Sequence, residues 1–381
     1  MHRLTNGRGR GALITGGAVA AALLLAACGG GSNSGSGNGS DPDLGSGPAK
    51  AGTVKADALK GTTLSFVSYG GIYQDGQMKA AMEPFGKESG AKILQDGPTD
   101  NSKIKAQVSA GNVTWDVIDT TNIFAGMQCG KLFMELDTSI VDTSKIPAGL
   151  VTDKCSVPAM SYGLVIVYNT EKYGANPPTS WADFFDTAKF PGKRGIQGAT
   201  GDVDQGVLEG ALLADGVAPD KVYPIDTNRA LKKLSSIKKD LVFWTTGAQA
   251  QQYLESKQVD MELLWTGRAY SAVKNGAPYK PMWNQWMPLA DHLVVPKGAK
   301  NPKAAMAAIN YYLGAEQQAK LTELTSYSPI NTDAKPNQDD LARSYLTTTS
   351  ERQKDMFKVD NKWWSENHDA MVTAFTNWLN G

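Results

Sequence analysis

Two glycine-containing turns carry side chains that could bind a small charged molecule. The first, Ser68 to Tyr73, holds two tyrosines beside glycines that let backbone amides approach a ligand closely. The second, Thr266 to Arg268, offers a guanidinium that can pair bidentately with a carboxylate or a phosphonate. Tyr69 and Tyr73 are therefore candidate ligand contacts, with ordinary surface tyrosines as the alternative. For Arg268 the alternative is a surface salt bridge.

No catalytic constellation accompanies these turns. The chain has three histidines, His2, His292 and His368, and it lacks the H-E-x-x-H, G-x-S-x-G and P-loop patterns. The G-x-G-x-x-G spacing of dinucleotide-binding proteins is also absent at the first turn. These absences argue against an enzyme, and we expect no metal and no cofactor. An anchored extracytoplasmic hydrolase stays open as a second class of function, and an adhesion or scaffold protein as a third.

The elements around both turns predict where the turns lie. The first turn follows a strand, Thr63 to Val67, and precedes an amphipathic helix, Gln74 to Gly90, that Pro84 could bend or split. The second turn follows a strand from Val259 to Trp265 and precedes a helix from Ala269 to Lys274. A turn between a strand and a helix lies at the carboxyl edge of a parallel sheet, where open α/β sheets bind ligands.

The composition sets the size and the charge of the folded body. Thr62 to Gly381 is about 320 residues, which suffices for two α/β lobes. The chain has 38 basic and 38 acidic residues; loss of Met1 to Ala27, with three arginines and no acid, leaves a charge of about −3. No basic patch with interleaved aromatic residues occurs, so we expect no nucleic acid as a partner.

The N-terminus is typical of an exported lipoprotein. Met1 to Arg10 is basic, and Gly11 to Ala27 is an apolar segment that ends in small residues before Cys28. A transmembrane helix is the alternative, but the Gly/Ser tract that follows favours cleavage. We therefore predict a signal peptide at 1–27, lipidation of Cys28, and a flexible tether over 28–60 that holds an extracytoplasmic protein at the membrane. For Ala49 to Lys60 the alternative is a first irregular segment that packs onto the body.

Two cysteines remain for the exported body. Export favours a disulfide between Cys129 and Cys155, and two buried free thiols are the alternative. An unstrained bridge across this separation would contribute roughly 3 kcal/mol by loop-entropy arithmetic. A free-thiol assay on the unreduced, unfolded protein distinguishes the two states.

The stretch from Met160 to Gly198 is the most specific part of the chain. It reads MSYGLVIVYNTEKYGANPPTSWADFFDTAKFPGKRGIQG, with a β-branched strand over Leu164 to Tyr168 and a helix capped by Thr179 or Ser180. In its SWADFFD…FPGKRG phrase it resembles the extracellular solute-binding proteins of ABC importers, on the spermidine/putrescine-binding branch. The resemblance covers about Leu64 to Ile330.

The resemblance implies a hinged, two-lobed α/β fold of the type II periplasmic binding proteins. Each lobe should contain a mixed, mostly parallel sheet flanked by helices. The expected boundaries are 61–168 plus 291–332 for lobe 1 and 169–290 plus 333–381 for lobe 2. The ligand would bridge the lobes, stabilise the closed form and pass to the transmembrane subunits of an ABC permease. We expect the receptor to be a monomer.

The resemblance also implies which residues line the ligand site. Trp265 matches a tryptophan that stacks on the ligand, and Asp291 matches an acid that binds its amine. Thr120 and Asp119 end a strand whose following residues face the cleft in that family. The expected ligand-binding set is Tyr69, Tyr73, Thr120, Asp119, Asp202, Trp265, Arg268 and Asp291.

Two positions depart from the pattern of the polyamine binders. Asn122 and Leu289 stand where that branch places aromatic residues, so one wall of the aromatic box is in doubt. Asp202 and Asp204 lie near the amine-gripping acids of lobe 2 but match them weakly, and either could simply cap the next helix. By resemblance a polyamine is the favoured ligand. An amino acid, a 4-aminobutyrate-like zwitterion or a phosphonate is the alternative, because of the arginine in the second turn.

Overall fold

Eight strands form one mixed sheet in the body of the protein. The computed structural model describes residues 41–147, 150–198 and 201–381 of the chain. The strands are β1 (Thr63–Val67), β2 (Lys92–Asp96), β3 (Val117–Thr121), β4 (Ser156–Asn169), β5 (Arg194–Gln197), β6 (Leu241–Trp244), β7 (Met261–Trp265) and β8 (Tyr279–Val294). Their order across the sheet is β2-β1-β3-β8-β4-β7-β5-β6.

Helices flank this sheet, and in the described ranges none is both long and apolar enough to cross a bilayer. They are α1 (Gly71–Gln77), α2 (Glu83–Ser89), α3 (Asn101–Ser109), α4 (Asn122–Gln128), α5 (Thr170–Tyr173), α6 (Trp181–Phe185), α7 (Val207–Ala214), α8 (Thr227–Ser235), α9 (Gly247–Glu255), α10 (Thr266–Lys274), α11 (Pro302–Tyr312), α12 (Ala315–Thr325), α13 (Asp340–Ser344), α14 (Ser350–Lys354) and α15 (Asn361–Asn380). A π-helical turn, Met78–Met82, joins α1 to α2.

Two parallel groups of strands end towards the same point on the long strands β4 and β8. β2, β1 and β3 form one parallel group, and β7, β5 and β6 form the other. The carboxyl end of β3 reaches Asp291 of β8, and that of β7 reaches Leu164 of β4. Between these levels Tyr162 pairs with Leu289. The turns that follow both groups of strands therefore converge there, as ligand-binding edges of α/β sheets do.

Both helices that follow the glycine turns begin earlier than the sequence predicted. Gly70 takes a φ of 72°, so α1 starts at Gly71 and Tyr73 lies in its first turn instead of in a loop. Pro84 neither breaks nor ends this helical stretch, because it follows the π-helical turn and sits in the first turn of α2. Likewise α10 starts at Thr266, which puts Arg268 on a helix.

The folded body begins before the end that we predicted for the tether. Leu59 is 1% exposed, and the amide of Gly52 donates to the carbonyl of Asn310 at 2.9 Å. Apolar residues within 41–60 pack against the core, which is why this segment does not behave as the Gly/Ser tract before it. The predicted end of the tether at residue 60 is therefore too late, and the structure fits the alternative in which Ala49 to Lys60 packs onto the body. Cys28 lies outside the described residues.

Cys129 and Cys155 lie next to each other at the start of β4. Their sulfur atoms are 2.06 Å apart, which is a bonded distance. Cys155 is buried in a small apolar cluster that contains Phe124 and Phe133, so the bridge fastens α4 to the start of β4. The helix that carries the residues after β3 is thereby fixed to a strand that reaches the centre of the sheet.

Candidate functional site

Two aspartates lie side by side where β3 meets β8. The register pairs Thr121 with Asp291 and places Asp119 two residues earlier on β3. Residues of the same parity on paired antiparallel strands point to one face of the sheet, and diagonal neighbours are close enough to interact. The two carboxyl groups therefore share one face, at the point where the strand ends converge.

Asp119 is fully buried behind the first turn of α1. Its Oδ2 accepts hydrogen bonds from Tyr73 Oη at 2.7 Å, from Gln77 Nε2 at 2.5 Å and from Ser68 Oγ at 3.4 Å. Tyr312 Oη accepts a second hydrogen bond from Gln77 at 3.0 Å. Burial raises the pKa of Asp119 to about 7, although these donors oppose that shift. Asp119 therefore lies beneath Tyr73 and does not face an open cleft.

Asp291 has a poorer set of donors than Asp119. Tyr162 Oη donates to its Oδ1 at 3.2 Å, and the residue is only 6% exposed. Burial, followed by the negative charge of Asp119, raises the pKa of Asp291 well above its ordinary value. A positively charged ligand group would relieve this cost, as expected of an acid that binds an amine.

An unbroken row of aromatic rings runs beside the acids. The ring centroids are 5.2 Å apart for Tyr73 and Tyr327, 5.7 Å for Tyr327 and Tyr162, and 6.4 Å for Tyr162 and Trp265. Trp265 in turn contacts Trp244 at 5.2 Å. Aromatic faces attract ammonium groups by roughly 0.5 to 2 kcal/mol, so the row and the acids favour the same type of ligand group.

A third acid, Asp204, approaches this row from the loop before α7. Trp265 Nε1 donates to its Oδ2 at 3.0 Å, and Asp204 is half-buried. Burial, with a smaller contribution from Asp202, raises the pKa of Asp204 well above its ordinary value. Gln197 fixes the loop, because its Oε1 accepts from the amide of Asp204 at 2.6 Å. Gly206 is the N-cap of α7, so neither aspartate caps that helix.

Asp202 lies on the same loop but is exposed. Its Oδ2 accepts a hydrogen bond from Gln197 Nε2 at 3.2 Å. Gln197 therefore bonds to both ends of the short acidic segment. Of the two acids that the sequence left as alternatives, Asp204 is the one that bonds to the aromatic row.

Arg268 is buried and has no acidic partner. It is 7% exposed, and the arginine ion pairs in the described part of the chain are made by other residues, Arg229, Arg343 and Arg352. The predicted alternative of a surface salt bridge is therefore wrong. The guanidinium lies close to the start of α1, since a Cβ on Gly71 would be 3.4 Å from its Nη1. No ion pair or side-chain hydrogen bond within the described residues engages this guanidinium, so its site suits an anionic ligand group.

Tyr327 lies between the arginine and the acids. Burial raises its pKa to about 12; Arg268 opposes that shift, and the charges of Asp291 and Asp119 add to it. The same ring is packed against Gly267, where a Cβ would lie 2.2 Å from its Cε1. The Tyr327 side chain is therefore close enough to be influenced by the positive charge of Arg268 and by the negative charges of Asp291 and Asp119.

Tyr69 borders the acid side of the site, which comprises Asp119, Asp291 and Asp204, whereas Thr120 is next to Asp119 on β3 with the opposite parity. Tyr69 is half-buried, and burial, then the charge of Asp291, raises its pKa well above the ordinary value. Thr120 is fully buried on β3, and its Oγ1 has no hydrogen-bond partner among the described residues. The structure thus brings Tyr69, Tyr73, Asp119, Trp265 and Asp291 together, with Arg268 across from them.

Sequence reasoning missed two residues of this cluster, Tyr162 and Tyr327, and it put Asp202 in the expected set where the structure favours Asp204. Tyr162 pairs with Leu289, so it places a ring on the strand next to the position where the expected aromatic residue is missing. Period-two alternation along β4 could have indicated its face, but only together with the register against β8. Tyr327 follows α12 in an irregular segment, and no local pattern predicts where its ring points.

A cavity of about 840 Å³ runs along β4 and β8 next to this cluster. Asn122 and Leu289, which replace the expected aromatic residues, both border it, together with Ser161 and Gln353. None of the acids or rings described above lines it. Asn122 and Leu289 are smaller than aromatic residues, so they leave space in the cavity that aromatic rings at these positions would fill.

Comparisons with known proteins agree with this geometry. The family of bacterial extracellular solute-binding proteins matches residues 80–358. The gamma-aminobutyric acid-binding protein of Pseudomonas aeruginosa is 28% identical over 324 residues, which are 83% of this chain and 90% of that protein. Spermidine/putrescine-binding periplasmic protein 1 of Haemophilus influenzae is 28% identical over 305 residues, 75% of this chain and 80% of that protein.

Solved structures give the same result. The structure of a receptor for GABA (4-aminobutyrate) superposes with a TM-score of 0.75 at 39% identity, over 84% of this chain and 98% of that one. The α/β fold of the periplasmic binding proteins, predicted from the sequence, is confirmed. The predicted branch is confirmed as well, since the family of extracellular solute-binding proteins and the spermidine/putrescine-binding and GABA-binding periplasmic proteins all match this chain. The chain therefore belongs to the bacterial extracellular solute-binding proteins, and it is the substrate-binding protein of an ABC importer and not an enzyme.

Proposed function

We propose that the ligand is a small zwitterion of the 4-aminobutyrate type, with an ammonium at one end and a carboxylate at the other. The observation that carries this proposal is Arg268, a buried guanidinium on the first turn of α10 with no acidic partner among the described residues. A ligand carboxylate would supply the missing acceptor with two charge-assisted hydrogen bonds. A ligand that carries only ammonium groups would instead add a like charge beside it.

The other end of the ligand follows from the acid side. Asp291 and Asp204 carry carboxyl groups with one hydrogen bond each, and the row of Tyr73, Tyr327 and Tyr162 runs beside them. An ammonium fits between carboxylates and aromatic faces. The two ends together describe an ω-amino acid.

The named relatives support this ligand class without deciding it. The Pseudomonas relative is a GABA-binding protein, and the solved structure at 39% identity is a GABA receptor. The Haemophilus relative binds spermidine or putrescine, so a polyamine is the second candidate. The observation that favours a polyamine is the presence of three acids, Asp119, Asp204 and Asp291, on one side of the site.

Calorimetry with four probes tests the choice between these ligands. GABA carries both charges, butyrate only the carboxylate, butylamine only the ammonium, and putrescine two ammonium groups. We expect GABA to bind about a hundredfold more tightly than butyrate or butylamine, because each lacks one set of charge-assisted bonds. We expect putrescine to bind at least about tenfold more weakly than GABA. Tighter binding of putrescine or spermidine than of GABA would contradict the zwitterion proposal.

We further propose that the two parallel groups of strands belong to two lobes, 61–168 plus 291–332 and 169–290 plus 333–381, which close on the ligand as a monomer. The long strands β4 and β8 lie between the groups and are suited to act as the hinge. Small-angle scattering with and without GABA tests both points. We expect a monomer mass and a smaller radius of gyration in the presence of GABA. An unchanged radius would contradict closure.

We also propose that Cys28 is lipidated after removal of residues 1–27 and anchors the protein outside the cytoplasm. The support is the sequence alone: a basic end, a short apolar segment and small residues before Cys28. Mass spectrometry of the mature N-terminus tests it. We expect a diacylglyceryl-modified Cys28 in the membrane fraction, and release of a Cys28→Ala variant from that fraction. An unmodified N-terminus would contradict the anchor.

A further inference from the structure

Another glycine turn borders the arginine side of the site, at the end of β6. The strand ends at Trp244, and α9 begins at Gly247 after Thr245 and Thr246. Strands β6, β5 and β7 are parallel, so this turn lies at the same edge of the sheet as Arg268, which follows β7. No residue of this turn is in the expected ligand-binding set.

Gly247 is in contact with two side chains of the site. It is buried, and a Cβ built on it would lie 2.7 Å from Cζ3 of Trp265 and 2.9 Å from Nε of Arg268. Gly247 has no positive φ and is the first residue of a regular helix, so its backbone would suit any residue. The glycine is therefore needed for space and not for the conformation of the turn, because a side chain would displace the indole or the guanidinium.

The first turn of α9 has two amides without acceptors. Oγ1 of the N-cap residue Thr246 accepts a hydrogen bond from the amide of Gln249 at 3.2 Å. Oε1 of Gln249 accepts one from the amide of Thr245 at 2.8 Å, which holds the turn in shape. The amides of Gly247 and Ala248 donate to no acceptor within the described residues. Free amides at the start of a helix are a common binding site for anions.

The guanidinium of Arg268 points independently to an anion at this place. It is 7% exposed, no described acid pairs with it, and it touches the first residue of α9. A guanidinium and a helix N-terminus both favour negative charge. Nε1 of Trp244, a residue that is 1% exposed, is a further donor without a partner in the described part of the chain. The surroundings of the turn thus hold several buried donors and no acidic partner for the guanidinium.

We propose that the first turn of α9 is the second half of the carboxylate site, an inference that rests on the proposed function. The amides of Gly247 and Ala248 and the guanidinium of Arg268 hold one ligand carboxylate, and Gly247 determines specificity because it keeps the space beside the guanidinium free. Trp265 relates this place to the acid side. Its Nε1 bonds to Asp204, whereas Cζ3 and Cε3, on the opposite edge of the indole, face Gly247. A ligand that lies along this indole has an acid at one edge and the anion site at the other.

Titration calorimetry on Ala248→Pro tests the proposal by removing one of the two amides. Ala248 is exposed, and the first turn of a helix accepts proline, as Pro84 does at the second position of α2. We expect the Kd for GABA to rise by about tenfold, because a hydrogen bond to a charged group is lost. The Kd for butylamine should change by less than about twofold, since that probe has no carboxylate. Ala248→Ser keeps the amide and is the matched control, with both values expected to equal those of the unchanged protein.

The outcomes separate this inference from the proposed function. If the unchanged protein binds GABA and Ala248→Pro binds it equally well, or weakens GABA and butylamine alike, the role of α9 is overturned while the zwitterion proposal stands. If the unchanged protein does not bind GABA, the proposed function fails and this inference fails with it.

A second measurement does not depend on the folding of a variant. Nuclear magnetic resonance of the unchanged protein, isotope-labelled at the glycine and alanine amides, follows Gly247 and Ala248 directly. We expect both amide proton signals to move downfield with GABA and with butyrate, because a hydrogen bond to a carboxylate deshields the proton, and to stay in place with butylamine. Signals that do not respond to saturating GABA, or that move equally with butylamine, would overturn the assignment.

Discussion

The acid side and the arginine side of the site are built in opposite ways. Asp119 receives three hydrogen bonds from its neighbours, and Asp291 and Asp204 receive one side-chain bond each. Arg268, which is also buried, forms no ion pair in the described part of the chain. The acid side is thus held in place before any ligand arrives, whereas the arginine side lacks an acceptor that only a ligand would supply.

This difference assigns different tasks to the two sides. A pre-positioned group loses little conformational entropy on binding, so the acid side contributes to affinity without much reorganisation. The guanidinium has no acceptor from the described residues, so it gains charge-assisted hydrogen bonds only when an anionic ligand group binds. We therefore expect the arginine side to contribute the larger share of the discrimination among ligands, and the predictions below start there.

The largest expected effect is that of Arg268→Gln. The variant removes a charge and a pair of charge-assisted hydrogen bonds, so we expect the Kd for GABA to rise by about a hundredfold. The Kd for butylamine should change by less than about threefold, because that probe has no carboxylate. Titration calorimetry measures both values.

Arg343→Gln is the matched control for that variant. Arg343 forms an exposed ion pair with Asp340 on α13, and exposed pairs contribute little. Its Kd for GABA should match that of the unchanged protein. An equal loss in both arginine variants would indicate a general effect on folding and would break the comparison between the two sides.

Asp291→Asn should have the next largest effect. The variant keeps the shape of the side chain but removes the charge that faces the ligand amine, so we expect the Kd for GABA to rise by about tenfold or more. Asp202→Asn, on the exposed acid that bonds to Gln197, should change the Kd by less than about twofold. Unchanged affinity in Asp291→Asn, measured by calorimetry, would refute the amine-binding role of this residue.

Gln197→Leu tests whether a residue behind the ligand site holds the acid side in position for binding. Gln197 bonds to the amide of Asp204 and to the carboxylate of Asp202, and it touches neither Trp265 nor Arg268 through a hydrogen bond. Loosening that loop should raise the dissociation rate of GABA by about threefold to tenfold. Gln252→Leu, at an exposed position on α9, is the control. If stopped-flow measurements give equal dissociation rates for Gln197→Leu and the unchanged protein, contacts other than those of Gln197 hold the loop that carries Asp202 and Asp204.

Local sequence patterns predicted the strands and turns of this site better than the directions in which its side chains point. The strand Thr63–Val67 and the neighbourhood of Tyr69, Tyr73 and Trp265 follow from β-branched runs and glycines, which act over a few residues. The start of α10 at Thr266 decides where Arg268 points, since each helical residue turns the side chain by about 100°. A shift of three residues in a helix start is within the usual error of such patterns.

The residues that could not be predicted depend on contacts between distant segments. Tyr162 reaches the site only through the register of β4 against β8, and Tyr327 through the packing of its ring on Gly267. The choice between Asp202 and Asp204 depends on the shape of one loop, which Gln197 fixes from the end of β5. Such long-range constraints leave no periodic signal in the sequence.

The smallest expected effect concerns a buried acid outside the acid side. Glu262 on β7 is fully buried, and neither of its carboxylate oxygens has a partner among the described residues. Burial raises the pKa of Glu262 well above its ordinary value. The unfolded chain ionises first as the pH rises, so this residue should lower the free energy of unfolding between pH 5 and pH 8.

Urea unfolding of Glu262→Gln at pH 5 and at pH 8 measures that contribution. We expect the variant to lose less stability over this interval than the unchanged protein, because its neutral amide has no proton that the unfolded chain could release. Glu366→Gln, on the exposed part of α15, should behave like the unchanged protein. An identical pH dependence in the unchanged protein and Glu262→Gln would mean that an acid without donors costs no more than the well-bonded acids of the ligand site. The number of hydrogen-bond donors around a buried acid would then not explain its effect on the free energy of unfolding.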